Sequence, residues 1–193
     1  MTREVPRILL TGAPQAGKTT LVCRLARELQ ATGVAVQGFT TSELREQGHR
    51  VGFLVQAIGG ESAIMAHVAR NDGPQVGRYR VDIPAFERVA LPALERAHEC
   101  RCVAVIDEIG QMELYSGAFV QSVQWLFEQD VPLVATVHAK AHPVTDELKR
   151  RRGVVLLTVT RDAHEEVLTQ VTARLLGGPA EAPGWTGELR REP

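Results

Sequence analysis

Gly12-Ala13-Pro14-Gln15-Ala16-Gly17-Lys18-Thr19 fits the pattern G-x-x-x-x-G-K-[ST] at every fixed position. Apolar Ile8-Leu9-Leu10 precedes it, and Leu21, Leu25 and Leu29 follow at helical spacing until Gly33. The order is therefore buried strand, glycine loop, helix. Such a loop wraps backbone N–H groups around an anion, and the helix N-terminus adds partial positive charge. In that geometry Lys18 reaches the terminal phosphate oxygens and the Thr19 hydroxyl is placed to bind magnesium. A chance glycine-rich turn would not need the lysine. The chain holds nineteen arginines and three lysines, yet a lysine stands here, where a compact ammonium fits and a guanidinium fork does not. The segment Gly12, Ala13, Pro14, Gln15, Ala16, Gly17, Lys18, Thr19 and Thr20 is thus the expected cradle for a nucleoside triphosphate, ATP, GTP or another.

Further along, Val36–Thr41 and Val51–Ile58 read as β-type runs around Glu46-Gln47-Gly48-His49, a hairpin. A helix is expected from Ala85 to His98 behind Pro84, then a strand over Cys102–Ile106. A helix capped by Ser116 should run to Glu128, followed by a strand over Val131–Val137. Thr145–Arg151 (helix), Val154–Val159 (strand) and Ala163–Leu176 (helix) complete the series. Strands alternating with helices imply an α/β fold of three layers, a mainly parallel sheet covered by helices on both faces. The 193 residues suffice for one such domain. It is expected over 1–176, with a β-hairpin insertion at 34–60 and a mobile tail at 177–193 rich in Gly, Pro and Glu. Trp185 in that tail reads as part of a loosely packed end.

Apolar Val103-Ala104-Val105-Ile106 leads into Asp107-Glu108. An acid at the C-terminal end of a buried strand lies where ligands bind in such folds. Asp107 is then a magnesium ligand with Thr19, and Glu108 a group that polarises a water for attack on the γ-phosphate. Alone, the pair could equally open a loop; its meaning comes from the phosphate loop upstream.

With Gly38-Phe39-Thr40-Thr41-Ser42-Glu43-Leu44-Arg45 and Asp107-Glu108-Ile109-Gly110-Gln111-Met112-Glu113-Leu114 in view, the chain resembles the small nucleoside-triphosphatases that include the cancer-related nucleoside-triphosphatase, from about Pro6 to Leu175. The resemblance implies a RecA-like P-loop NTPase sheet, magnesium dependence and hydrolysis of several nucleoside triphosphates to diphosphates. Three positions depart from the family. Gln15 stands where glycine is usual, Gln111 where lysine is usual, and Ala163-His164 where Asn-Arg is usual, a pair that helps hold the base.

Other signals compete with plainer readings. His138 and His142 have H-x-x-x-H spacing, but Pro143 adjoins them and a third ligand is lacking, which argues against zinc. Thr136 or His138 either senses the γ-phosphate or is an ordinary polar strand end. Arg150-Arg151-Arg152 either closes a short helix, where cations suit the dipole, or reaches phosphate in a neighbouring subunit. Glu43 and Arg45 sit on the hairpin near the expected site. Cys23, Cys100 and Cys102 form no disulfide framework and are expected as reduced thiols.

A net charge of −1 offers no field for nucleic acid and no membrane patch. The N-terminus, from Thr2-Arg3-Glu4 into a three-residue apolar run, matches neither a signal peptide nor a spanning segment, so a cytoplasmic location is expected. Hydrolysis with Glu108 and Lys18 as the catalytic pair is the leading expectation, slow and broad in base. No N-K-x-D or T-K-x-D string supports guanine specificity. The alternatives are transfer of the γ-phosphate to a small molecule or an RNA end, with the arginine run as a lid, and a nucleotide-switched binding module. A homo-oligomer remains open.

Overall fold

The structure, a computed structural model, describes residues 5–177; the expected tail, Trp185 and the start of the N-terminus lie outside them, apart from Gly177. Strand β1 (Arg7–Thr11) leads through the glycine loop into helix α1 (Lys18–Ala31). Strands β2 (Val36–Glu46) and β3 (His49–Ala57) form the hairpin, turning at Gln47-Gly48. Antiparallel β4 (Ser62–His67), β5 (Gln75–Val76) and β6 (Tyr79–Val81) follow, so the antiparallel extension continues past residue 60. Helix α2 (Ile83–Glu99), β7 (Val103–Ile109), α3 (Gly117–Leu126), β8 (Leu133–Val137), α4 (Pro143–Arg150), β9 (Val154–Thr158) and α5 (His164–Leu176) complete the order.

Among the described residues one nine-stranded sheet runs β5-β6-β4-β3-β2-β7-β8-β1-β9. The strands from β2 to β9 in that order are parallel; those beyond β2 pair antiparallel. Successive side chains point to opposite faces, and both faces are apolar because both are covered. Leu9, Ala104, Ile106, Leu133 and Ala135 face α2 and α3, where the rings of Phe39, Phe86 and Phe119 meet edge to face at 5.1–5.7 Å. Ile8, Leu10, Val103, Val105 and Val134 face α1 and α5.

Local chemistry fixes the helix starts. Asp82 accepts from the Ala85 N–H and Pro84 occupies the first turn, so α2 begins ahead of the expected Ala85. Ser116 accepts from the Phe119 N–H at 2.9 Å and caps α3. The cysteines differ from expectation. Cys100 and Cys102 are joined by a disulfide, Cα atoms 5.2 Å apart, with Arg101 between them in a left-handed conformation, φ 50°. Cys23 is free.

Candidate active site at the phosphate loop

Parallel strands β2, β7, β8, β1 and β9 end at one edge of the sheet, and the glycine loop leaves β1 there. Gly17 caps α1 with φ 88°. A β-carbon on it would lie 2.4 Å from the His164 ring, so only glycine fits. Nε2 of His164 donates to the Ala16 carbonyl at 2.7 Å. The α5 start therefore braces the loop from behind, across 148 positions of sequence. Lys18 Nζ donates to the Gly12 carbonyl at 3.2 Å, inside the loop it serves. Gln15 holds a left-handed backbone, φ 64°, at the turn of the loop.

Strand β8 lies between β1 and β7, so the acidic pair faces the loop across one strand width. Asp107 is fully buried. The Thr136 hydroxyl, on the intervening strand, donates to its Oδ1 at 2.6 Å. Thr136 is thus the residue that holds Asp107, while the neighbouring His138 has no part in that bond. Burial raises the Asp107 carboxyl above its ordinary value; the Thr136 and Thr19 hydroxyls, the Thr41 backbone and Lys18 oppose this. Its other oxygen, Oδ2, is buried without a hydrogen-bond partner of ordinary geometry. A hard divalent cation bound by an orphaned carboxylate oxygen, the nearby Thr19 hydroxyl, phosphate oxygens and water fits this arrangement. Magnesium seldom needs an all-protein cage, and among the described residues no cluster of three or more His, Cys, Asp or Glu forms one.

Glu108 follows across a cis peptide and is only partly buried. Burial raises its carboxyl too, Lys18 lowers it, and Asp107 raises it further. The sequence assigned no role to Glu113, although it stands in the quoted acidic string. It is 6% exposed, on a 3-10 turn over Glu113–Tyr115. A β-carbon on Gly110 would meet Oε1 of Glu108 at 2.8 Å and Oε2 of Glu113 at 2.9 Å. Gly110 therefore makes room for two carboxyl groups side by side. Burial pushes Glu113 up to about 8, helped by Glu108 and Asp107.

Other candidates lie elsewhere or act structurally. Arg150–Arg152 precede β9, whose first residue Val154 pairs with Arg7 at the start of β1, so the run lies at the opposite edge from the phosphate loop. A lid within this chain is excluded. Arg151 is tied to Glu147 at 2.8 Å and lies over the Phe127 ring. His142 caps α4, its Nδ1 accepting from the Val144 N–H. Glu43 pairs with both Arg45 and Arg50 on the hairpin.

The model of the NTPase family matches residues 7–172. A nucleoside-triphosphatase THEP1 of Methanosarcina acetivorans is 38% identical over 173 residues, 88% of this chain and 97% of that protein. The human cancer-related nucleoside-triphosphatase is 35% identical, covering 85% of this chain and 93% of its own length. The crystal structure of THEP1 from the hyperthermophile Aquifex aeolicus superposes with a TM-score of 0.80 at 35% identity, over 88% of this chain and 98% of that one. Sequence, fold and extent agree, and the chain belongs to the NTPase family.

Proposed function

We propose that this protein is a magnesium-dependent nucleoside-triphosphatase of the cytoplasm that releases diphosphate and phosphate, slowly and with little regard to the base. The observation that carries the reading is Glu108, partly open beside buried Asp107 and within the field of Lys18. Glu108 takes a proton from water as the water oxygen bonds to the γ-phosphorus. The bond from that phosphorus to the bridging oxygen breaks, and the nucleoside diphosphate leaves. The backbone N–H groups from Gln15 to Thr20 hold the phosphates, and Lys18 offsets the charge that grows on them. Magnesium, when held by Thr19 and Asp107, neutralises charge across the β- and γ-phosphates. The names of the relatives, nucleoside-triphosphatases, support the same reading.

Slow turnover follows from the arginine run. A finger contributes about 10³–10⁵ in rate, and this chain keeps Arg150–Arg152 at the far edge. Broad base tolerance is in keeping with the absence of any N-K-x-D or T-K-x-D string for guanine. The test is a turnover panel over the four common ribonucleoside triphosphates, with magnesium present and withheld, and with products identified. Comparable rates for all four, lost without magnesium, are expected. Phosphate appearing on a small molecule or RNA end instead of in solution would replace hydrolysis by transfer.

A further inference from the structure

A cavity of about 480 Å³ opens not over the phosphate loop but at the opposite edge of the sheet. Its walls include Gln37 near the start of β2, the Gly59-Gly60 turn beyond β3, and Arg88, Pro92 and Arg96 of α2. Gln30, in the last turn of α1, also reaches it. Since α1 starts at the phosphate loop and has 14 residues, the cavity lies about 20 Å from that loop at 1.5 Å per residue. Its volume falls in the range of small-molecule sites, about 300–1,000 Å³.

Its charge is mainly cationic, carried by Arg88 and Arg96, both exposed to solvent. Arg88, Pro92 and Arg96 are spaced by four, so they form one row on the α2 surface. Among the described residues neither guanidinium has a hydrogen-bond or ion-pair partner, although Glu61 lines the same cavity. The Arg96 guanidinium crosses to the glycine turn: Nη2 would lie 3.7 Å from a β-carbon on Gly60. Pro92, inside the helix, lacks an N–H and leaves the Arg88 carbonyl without its usual donor. Val36, Ala57 and Val89 give an apolar floor between the charges.

We propose that this cavity binds an elongated organic dianion, one acidic group on Arg88 and the other on Arg96, with an uncharged body over Pro92 and the apolar floor. Guanidinium forks donate to carboxylate and phosphate oxygens alike, and the two Cα atoms stand about 12 Å apart along the helix. This site is independent of the hydrolytic reading. The test follows backbone amides by ¹H–¹⁵N NMR in the intact protein while two probe series are added. One is the dicarboxylates succinate, adipate and suberate; the other is the alkanediol bisphosphates of matching length. Butyrate and inorganic phosphate serve as single-ended controls. Saturable shifts at Gly59 and Gly60 are expected from at least one series, with a midpoint separate from any shift that phosphate groups cause at Gly12–Thr19, and the series that moves Gly59 and Gly60 identifies the acidic group. Arg88→Ala or Arg96→Ala, both surface changes, should each weaken binding about ten- to hundredfold. Three results would overturn the site: no saturable shift at Gly59 and Gly60 with either series, shifts there that survive the combined Arg88→Ala and Arg96→Ala variant, or single-ended controls binding there as well as the dianions.

Discussion

Gln15 carries a left-handed backbone, φ 64°, in a loop where the family usually has glycine. That conformation costs a side-chain-bearing residue roughly 1–2 kcal/mol, whereas glycine gives up roughly 0.5–1 kcal/mol in chain entropy. Gln15→Gly should raise stability by about 0.5–1 kcal/mol, read from the urea midpoint; a loss would mean that the glutamine side chain holds the loop. Glu113 makes a second prediction. Its folded value of about 8 exceeds the ordinary 4.5, so the folded chain keeps a proton that the unfolded chain releases. The associated stability is complete below about pH 4.5 and is lost as pH rises through about 8. Glu113→Gln stays neutral throughout. Between about pH 5 and 8 the parent should lose a few kcal/mol relative to this variant; parallel stability curves would show that Glu113 ionises freely. The shape of the glycine loop was legible because the positive φ at Gly12 and Gly17 is encoded locally by glycine. Glu113 was not, because its burial comes from packing under Gly110, and nothing in its neighbours announces that. His164 stood out as a departure, yet its bond to Ala16 spans most of the chain.

Elements are held together at a few close approaches. Gly38 has φ 120°, and a β-carbon there would lie 1.9 Å from the Val105 carbonyl oxygen where β2 pairs with β7. Gly38→Ala should therefore cost roughly 3 kcal/mol or more. Denaturation would check it, and a loss below about 1 kcal/mol would show that the two strands separate freely. Strands β1, β7, β8 and β9 could be read from short apolar runs because helices cover both faces of the sheet. The hairpin could be read because Gln47-Gly48 supplies two positive φ values in succession. Strands β4 to β6 could not. They are six, two and three residues long, Ile64 is exposed, and Asp72-Gly73-Pro74 reads as a loop. Their small cluster of Ala66, Tyr79 and Val81 exists only once the sheet has formed.

For the molecule as a whole, strand order separates what adjacency in sequence cannot. It brings Thr19 and Asp107 together across β8 and sends Arg150–Arg152 to the other edge. Arg150→Ala and Arg152→Ala should leave turnover within about twofold, and specific activity should not change with protein concentration. A tenfold loss joined to concentration dependence would instead place these arginines on a neighbouring subunit's phosphates. The place of Asp107 and Glu108 near the end of a buried strand was readable; the bond from Thr136 to Asp107 was not, until the register set Thr136 beside Leu10.

Glu108 separates hydrolysis from mere binding, so it gives the most direct test. Glu108→Gln keeps the size of the side chain and removes its basicity. Loss of a general base slows chemistry about 10²–10⁴-fold, while triphosphate affinity should hold or tighten because a negative charge near the γ-phosphate is gone. The measurement is a single-turnover rate at equal nucleotide occupancy for parent and variant. Glu108→Gln is expected to retain intact magnesium–ATP and to turn over at least about a hundredfold more slowly; a rate within a few-fold of the parent would remove Glu108 as the general base.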